Sequence, residues 1–266
     1  MKAIKFNLSG KTGFFKKPDV NVNVYFTYNN IHKIALLGVL GAVIGLGGYA
    51  KQNKSIQFSG KNKENIYPEF YDKLKNLKVA IKPSNVKNNS ESDENEMCGY
   101  FTKKIQVFNN SVGYASDENG KNLIVREQWL EKPCWDIYIL NDESISNNIF
   151  NKLADYLLNN KSVYIPYLGK NDHPAVIDNV RIVNLQALDD IDHIDTLFKE
   201  EDVELSSYVY DEDKEAYMLR EFSPIRLNEN NNCYEFEKLC YTTLEIEDMG
   251  NIKDIYSDED TVIAFI

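Results

Sequence analysis

The 266-residue chain carries 30 Lys and Arg against 41 Asp and Glu, a net charge of −11, with 43% hydrophobic and 27% charged residues. That length supports a sizeable core in one large domain or two small ones, and the composition excludes disordered, collagen-like and coiled-coil chains. The net charge hides a split: residues 1–90 hold 15 Lys and 4 acidic residues, or +11, which leaves 15 basic against 37 acidic residues, or −22, for the remainder. Such asymmetry marks a chain that meets a polyanion with one region and repels it, or meets a basic partner, with the other.

In chain order, Lys2 to Leu8 alternates polar and apolar residues and meets Ser9-Gly10, which predicts a half-buried strand. The loop that follows is both aromatic and basic. Asn29 or Asn30 can cap the next element, a helix from about Ile31 to Leu46 whose Gly38, Gly41 and Gly45 fall three and four apart on one face. Each glycine costs about 1 kcal/mol relative to Ala in a helix, so close packing or a ligand must offset the loss. Gly45 to Gly48 then ends the helix. Tyr67 to Asn76 reads as a short helix, Leu77 to Pro83 as a second alternating strand, and Ser84 to Glu96 as a polar loop.

Lys103 to Phe108 and Asn122 to Trp129 flank an Asp-, Asn- and Gly-rich turn at Asp117 to Gly120, the pattern of a protruding hairpin. Trp135 to Leu140 returns as a strand, and Ile145 to Leu158 places apolar residues at helical spacing. Ser162 to Pro166 and Arg181 to Leu185 read as further strands. The order strand, helix, strand, strand, helix, strand is the ferredoxin-like split βαβ plan of an α+β fold, with a hairpin inserted between its middle strands. After Leu188 the composition shifts, because residues 188–215 hold 12 acidic groups against Lys199 and Lys214. Tyr208 to Arg226, Cys233 to Ile246 and Val262 to Ile266 are strand-like.

The chemistry follows from residue type. Single-stranded RNA is held by stacking its bases on aromatic rings and by cations or backbone N–H groups facing its phosphates. Phe14, Phe15, Tyr25, Phe26 and Tyr28 are candidate platforms, Lys11, Lys16, Lys17 and Lys33 candidate phosphate contacts, and Gly47-Gly48 could admit a phosphate to the main chain. No P-loop, Rossmann fingerprint or serine-nucleophile motif is present, and no cofactor is expected. Cys98, Cys134, Cys233 and Cys240 form no C-x-x-C pair, and no His stands at metal-ligand spacing, so the thiols read as reduced in a cytoplasmic protein and no metal is expected. A metal-independent endoribonuclease would need a general base beside a cation, for which His32-Lys33 comes first and His173 second. A membrane-associated scaffold would use the 17 uncharged residues from Ile34 to Ala50, a run short of a span and interrupted by glycines.

Two stretches resemble the fifth CRISPR-associated (Cas) protein family. The first comprises Phe6 to Gly10, Phe14-Phe15-Lys16-Lys17-Pro18, Thr27-Tyr28 and Leu37 to Leu46; the second is Pro166-Tyr167-Leu168-Gly169-Lys170-Asn171-Asp172-His173-Pro174-Ala175, similar to that family's P-Y-L-G loop. The resemblance implies a RAMP-superfamily (RRM/RAMP) subunit of a type I Cascade, most similar to the type I-B branch. Its ferredoxin-like palm would span residues 1–187, with a β-hairpin thumb at about 84–132 and an acidic linker and small β-rich C-terminal region over 188–266.

Such a subunit grips the 5′ handle of CRISPR RNA without catalysis and supports guide-directed DNA interference. Its partners would be the crRNA, the backbone and large Cascade subunits and, indirectly, target DNA, with no membrane. On this resemblance Lys103, Lys104, Arg126 and Trp129 become thumb contacts, and Lys51, Lys170, His173 and His32 join the RNA-binding set. The self-cleaving type I-C branch uses a Tyr with a Lys-His pair after the thumb. No Lys-His pair follows the thumb here, so no catalytic residue is expected.

Overall fold

The structure, a computed structural model, describes residues 1–19, 23–62, 66–84, 101–110, 123–213 and 215–266. In the first part of the chain the elements are β1 (Lys2–Ser9), β2 (Thr12–Gly13), α1 (Lys33–Ile44), α2 (Tyr49–Ser59), α3 (Glu69–Leu74), β3 (Val79–Pro83), β4 (Lys103–Asn110), β5 (Leu123–Glu131), β6 (Cys134–Leu140), α4 (Asn147–Leu158), β7 (Val176–Asn184) and β8 (Gln186–Ala187). Beyond them lie β9 (Phe198–Lys199), β10 (Glu204–Val209), β11 (Met218–Leu227), β12 (Tyr234–Thr242), β13 (Leu244–Asp248), β14 (Ile255–Asp258) and β15 (Thr261–Ala264). The result is a mixed fold with few helices and many antiparallel sheets.

The central sheet is antiparallel, in the order β3-β6-β1-β7. Its two crossovers, β1 to β3 and β6 to β7, each carry a helix that packs on the same side, α1 against α4. Period-two alternation sorts the strand residues. Ile4, Phe6, Leu8, Val79, Ile81, Trp135, Ile137 and Ile139 join the helices in the main core, whereas Ala3, Ala80, Tyr138, Leu140 and Val183 form a second cluster closed by Ile263 of β15. The main core also takes in Leu197, Ile225, Leu227, Leu239 and Tyr241 from the C-terminal sheets.

Helix α1 is buried nearly all round, packing on α3, α4 and β11, which is why its sequence is apolar without an amphipathic stripe. Gly41 explains one of the regular glycines: a Cβ there would stand 2.6 Å from Phe70 Cβ of α3. No single helix among the described residues is long and apolar enough to cross a membrane, and α1 and α2 are bent by 83° at the Gly45 to Gly48 break.

Three expectations change. The N-cap of α1 is His32 instead of Asn29 or Asn30, because its Nδ1 accepts the Ala35 amide at 3.2 Å. The glycine stretch ends α1 as expected, at Gly45 with a φ of +82°, and Gly48 then precedes α2, for which the sequence raised no expectation. Ser162 to Pro166 is irregular, since the N–H groups of Val163 and Tyr164 donate to the Val43 and Ala42 carbonyls at the end of α1. The last sheet strand begins at Val176, earlier than Arg181. The loop expected over Ser84 to Glu96 and the turn at Asp117 to Gly120 lie, apart from Ser84, outside the described residues.

Candidate nucleic-acid interface

Three segments far apart in sequence meet beside the β4–β5 hairpin. Main-chain hydrogen bonds join them: Phe14 N–H donates to Leu168 O at 3.0 Å, Tyr25 N–H to Arg126 O at 2.8 Å, and Gln128 N–H to Tyr25 O at 2.9 Å. Within the first segment Lys17 N–H donates to Phe26 O and Tyr28 N–H to Phe15 O. The third segment turns at Gly169, whose φ of +87° and position against Phe14, with a Cβ site only 1.8 Å from the Phe14 oxygen, admit no side chain. At the hairpin base β5 pairs with β2 on one side and β4 on the other.

Cations and rings are interleaved on this frame. The Lys16 ammonium stands 3.8 Å from the centre of the Tyr25 ring, and Phe26 is 47% exposed beside it in sequence. Arg126 is exposed and makes no ion pair among the described residues. Strand alternation places Arg126 with Ile105, Val107 and Ile124, each about half exposed, on one face of the hairpin. Lys104 and Trp129 pair across the other face, with the Lys104 ammonium 5.9 Å from the indole. Lys104 is also 3.9 Å from the Glu131 carboxylate. Rings beside cations can stack bases and neutralise phosphates.

Beneath that surface lies a polar anchor. Glu127 is buried, and its carboxylate accepts from Lys170 Nζ at 2.9 and 3.0 Å and from Trp129 Nε1 at 2.9 Å. Lys170 also lies over the Phe14 and Phe108 rings. His173 is 1% exposed; its Nδ1 is 2.7 Å from Thr12 Oγ1 and its ring meets Trp129 edge-on at 4.6 Å. Burial, helped by Lys170, lowers its pKa, so the imidazole is neutral at physiological pH.

The remaining sequence-predicted residues lie elsewhere or are already engaged. Phe14, Phe15 and Tyr28 are buried core rings and offer no free face for stacking. His32 is packed among Phe15, Tyr28 and Tyr234, and burial pushes its pKa down to about 3. Lys33 is 8% exposed and donates to Ile266 O at 2.9 Å; burial, with Lys199 next, lowers its pKa to about 8. Gly47 N–H and Lys51 Nζ both donate to Glu69, at 2.9 and 2.6 Å, while Gly48 is exposed. Lys17 pairs with Glu221 at 2.7 Å, Lys103 donates to Asn29 Oδ1, and Lys11 is exposed. Sequence reasoning overlooked Glu127, Thr12, Asn29 and Glu221. Period-two alternation does place Glu127 on the Trp129 face, but nothing local marks Glu221, which arrives from β11.

No protein-family model matches the sequence, and no curated protein does either. Among solved structures the chain is similar to a CRISPR protein from Archaeoglobus fulgidus, at 13% identity over 99% of this chain and 98% of that one, with a TM-score of 0.49. It is also similar to a chain of a CRISPR RNA-guided surveillance complex, at 11% identity over 93% and 92% with a TM-score of 0.49. A chain of the type III-B Cmr-beta complex bound to cognate target RNA and AMPPnP is similar at 10% identity over 92% and 86%, with a TM-score of 0.46. The structural neighbours are thus CRISPR-associated proteins.

Proposed function

We propose that the chain is a non-catalytic CRISPR RNA-binding subunit of a type I, I-B-like Cascade, gripping the 5′ handle beside a hairpin thumb mounted on a ferredoxin-like RAMP palm. The observation that carries this reading is the gathering of the Lys16–Tyr25 pair, Arg126 and, on the opposite face, the Trp129–Lys104 pair around one hairpin. Lys16 belongs to the first stretch that resembles the family, Tyr25 to the loop that follows it, and the other three to the hairpin. A holding role needs cations and rings on a rigid frame, because base pairing by the guide reads the target. It needs no general base, and both candidate imidazoles are buried: His32 caps α1 and His173 faces Thr12.

The test is a titration of handle RNA into the purified chain across a range of salt concentrations, for the wild type and for Lys16→Ala with Arg126→Ala. The double variant is expected to bind more weakly and to reduce the log–log salt slope by about two, one for each lost phosphate contact. An unchanged slope would move the interface elsewhere. Incubation of repeat RNA with the wild type in EDTA is expected to leave it intact; cleavage that disappears in His173→Ala would make the protein an endoribonuclease.

A further inference from the structure

We propose that Lys17 and Asn29 form an oxyanion cradle that accepts a phosphate, and that the carboxylate of Glu221 occupies it from within the same chain. One Glu221 oxygen accepts the Asn29 main-chain N–H at 2.9 Å, and the other accepts the Asn29 side-chain amide at 3.0 Å and the Lys17 ammonium at 2.7 Å. Asn29 is oriented from behind, because the Lys103 ammonium donates to its Oδ1 and leaves the NH2 facing the acid. Lys17 is held by its own main-chain bond to Phe26. A backbone amide, a side-chain amide and an ammonium therefore converge on one anion with a second ammonium behind them, the donor set that also suits a phosphate.

The donors belong to the front loop and the hairpin, whereas the acid comes from β11, 192 residues later. The Lys103 bond to Asn29 and the Lys17–Phe26 main-chain bond hold the donors independently of the acid. Its mouth opens on a cleft of about 530 Å³, lined also by Phe222 and Phe236, whose rings are 66% and 42% exposed. A nucleotide fits this layout, with its phosphate in the cradle and its base against a ring. Glu69 repeats the arrangement on a smaller scale by taking the Gly47 amide and Lys51. Self-occupancy makes each bound phosphate compete with a carboxylate, which weakens adventitious polyanion binding. That the phosphate is one of RNA rests on the function proposed above; free phosphate shares the chemistry.

The experiment uses the full chain carrying Glu221→Ala. Without multivalent anions the variant is expected to melt below the wild type. Millimolar inorganic phosphate should restore most of the loss, while chloride at equal ionic strength does not, and Glu221→Ala with Lys17→Ala should gain nothing. Handle RNA should bind Glu221→Ala about three- to tenfold more tightly, the worth of one added hydrogen-bonded contact, with a salt slope steeper by about one. Should Glu221→Ala not fold, Glu221→Gln keeps the shape and removes the charge, and the same steepened slope is expected. Loss of stability that phosphate does not repair, with RNA affinity unchanged or lower, would overturn the cradle and leave Glu221 a fastener between β11 and the loop. Rescue by inorganic phosphate with no RNA bound by any variant would uphold the cradle for free phosphate and overturn the handle reading instead.

Discussion

His32 shows how a residue that looks catalytic in sequence becomes structural in three dimensions. Its ring caps α1 and is sealed among aromatic neighbours, so burial holds it neutral with a pKa of about 3. A folded pKa below the ordinary 6.5 means that the unfolded chain binds the extra proton first. The stabilising effect is full above about pH 6.5 and is lost as pH falls towards 3, by up to about 1.4 kcal/mol per pH unit. Replacing His32 with Asn keeps a cap acceptor and removes the proton, so urea unfolding at pH 7 and pH 5 should show a smaller loss in His32→Asn than in the wild type. Equal losses would place the titrating group elsewhere. Gly169 gives a second test at this scale: Gly169→Ala must move Phe14 or the turn, and we expect a loss of about 2 kcal/mol or more by chemical denaturation. The aromatic and basic character of the front loop was legible in the sequence. Which rings stay at the surface and which fill the core was not, because both positions accept the same residue types and only tertiary burial separates Phe14 and Phe15 from Tyr25 and Phe26.

At the scale of elements, α1 was legible from its apolar run and glycine spacing, being buried nearly all round, whereas periodicity revealed the sheet strands, α4 and the hairpin. It missed α2, whose only buried residue is Gln52, and it misread residues 162–166, whose alternation is real but whose amides serve the carbonyl end of α1. The hairpin carries a further consequence. It is tied to the loop at 166–175 by the Lys170–Glu127 pair, and to the front loop by the main-chain bonds of Tyr25 to Arg126 and Gln128. Lys170→Ala leaves the buried Glu127 carboxylate with only the Trp129 indole among these donors, and with Lys170 itself about one-third exposed the loss is about 1–3 kcal/mol. Hydrogen exchange should accelerate at the amides of residues 126–130 in that variant, more than at β1 or β6. Uniform exchange would mean that backbone pairing alone fixes the hairpin. Glu127→Gln, which removes the charge and keeps the acceptor, should lose less stability.

The charge split of the whole chain has an intramolecular component that composition conceals. Lys5, Lys17, Lys78 and Lys82 of the front third pair with Asp258, Glu221, Asp254 and Asp195, at 2.7, 2.7, 2.8 and 3.6 Å. Part of the acidic remainder thus faces the molecule's own lysines, where charge asymmetry alone has it repel a polyanion or meet a basic partner. The structural reason is that the C-terminal sheets close over the central sheet and α1, carrying their carboxylates onto its basic margins. Lys16 and Arg126 stand outside this compensation, which concentrates the field available to a polyanion at the hairpin base. The most direct measurement of that claim is ultraviolet crosslinking of handle RNA to the full chain, followed by mapping of the crosslinked peptides. The account predicts adducts in residues 14–28, 101–131 and 166–175, with Tyr25, Phe26 or Trp129 among them. Adducts confined to residues 234–266, or none with RNA that still comigrates with the protein, would contradict it.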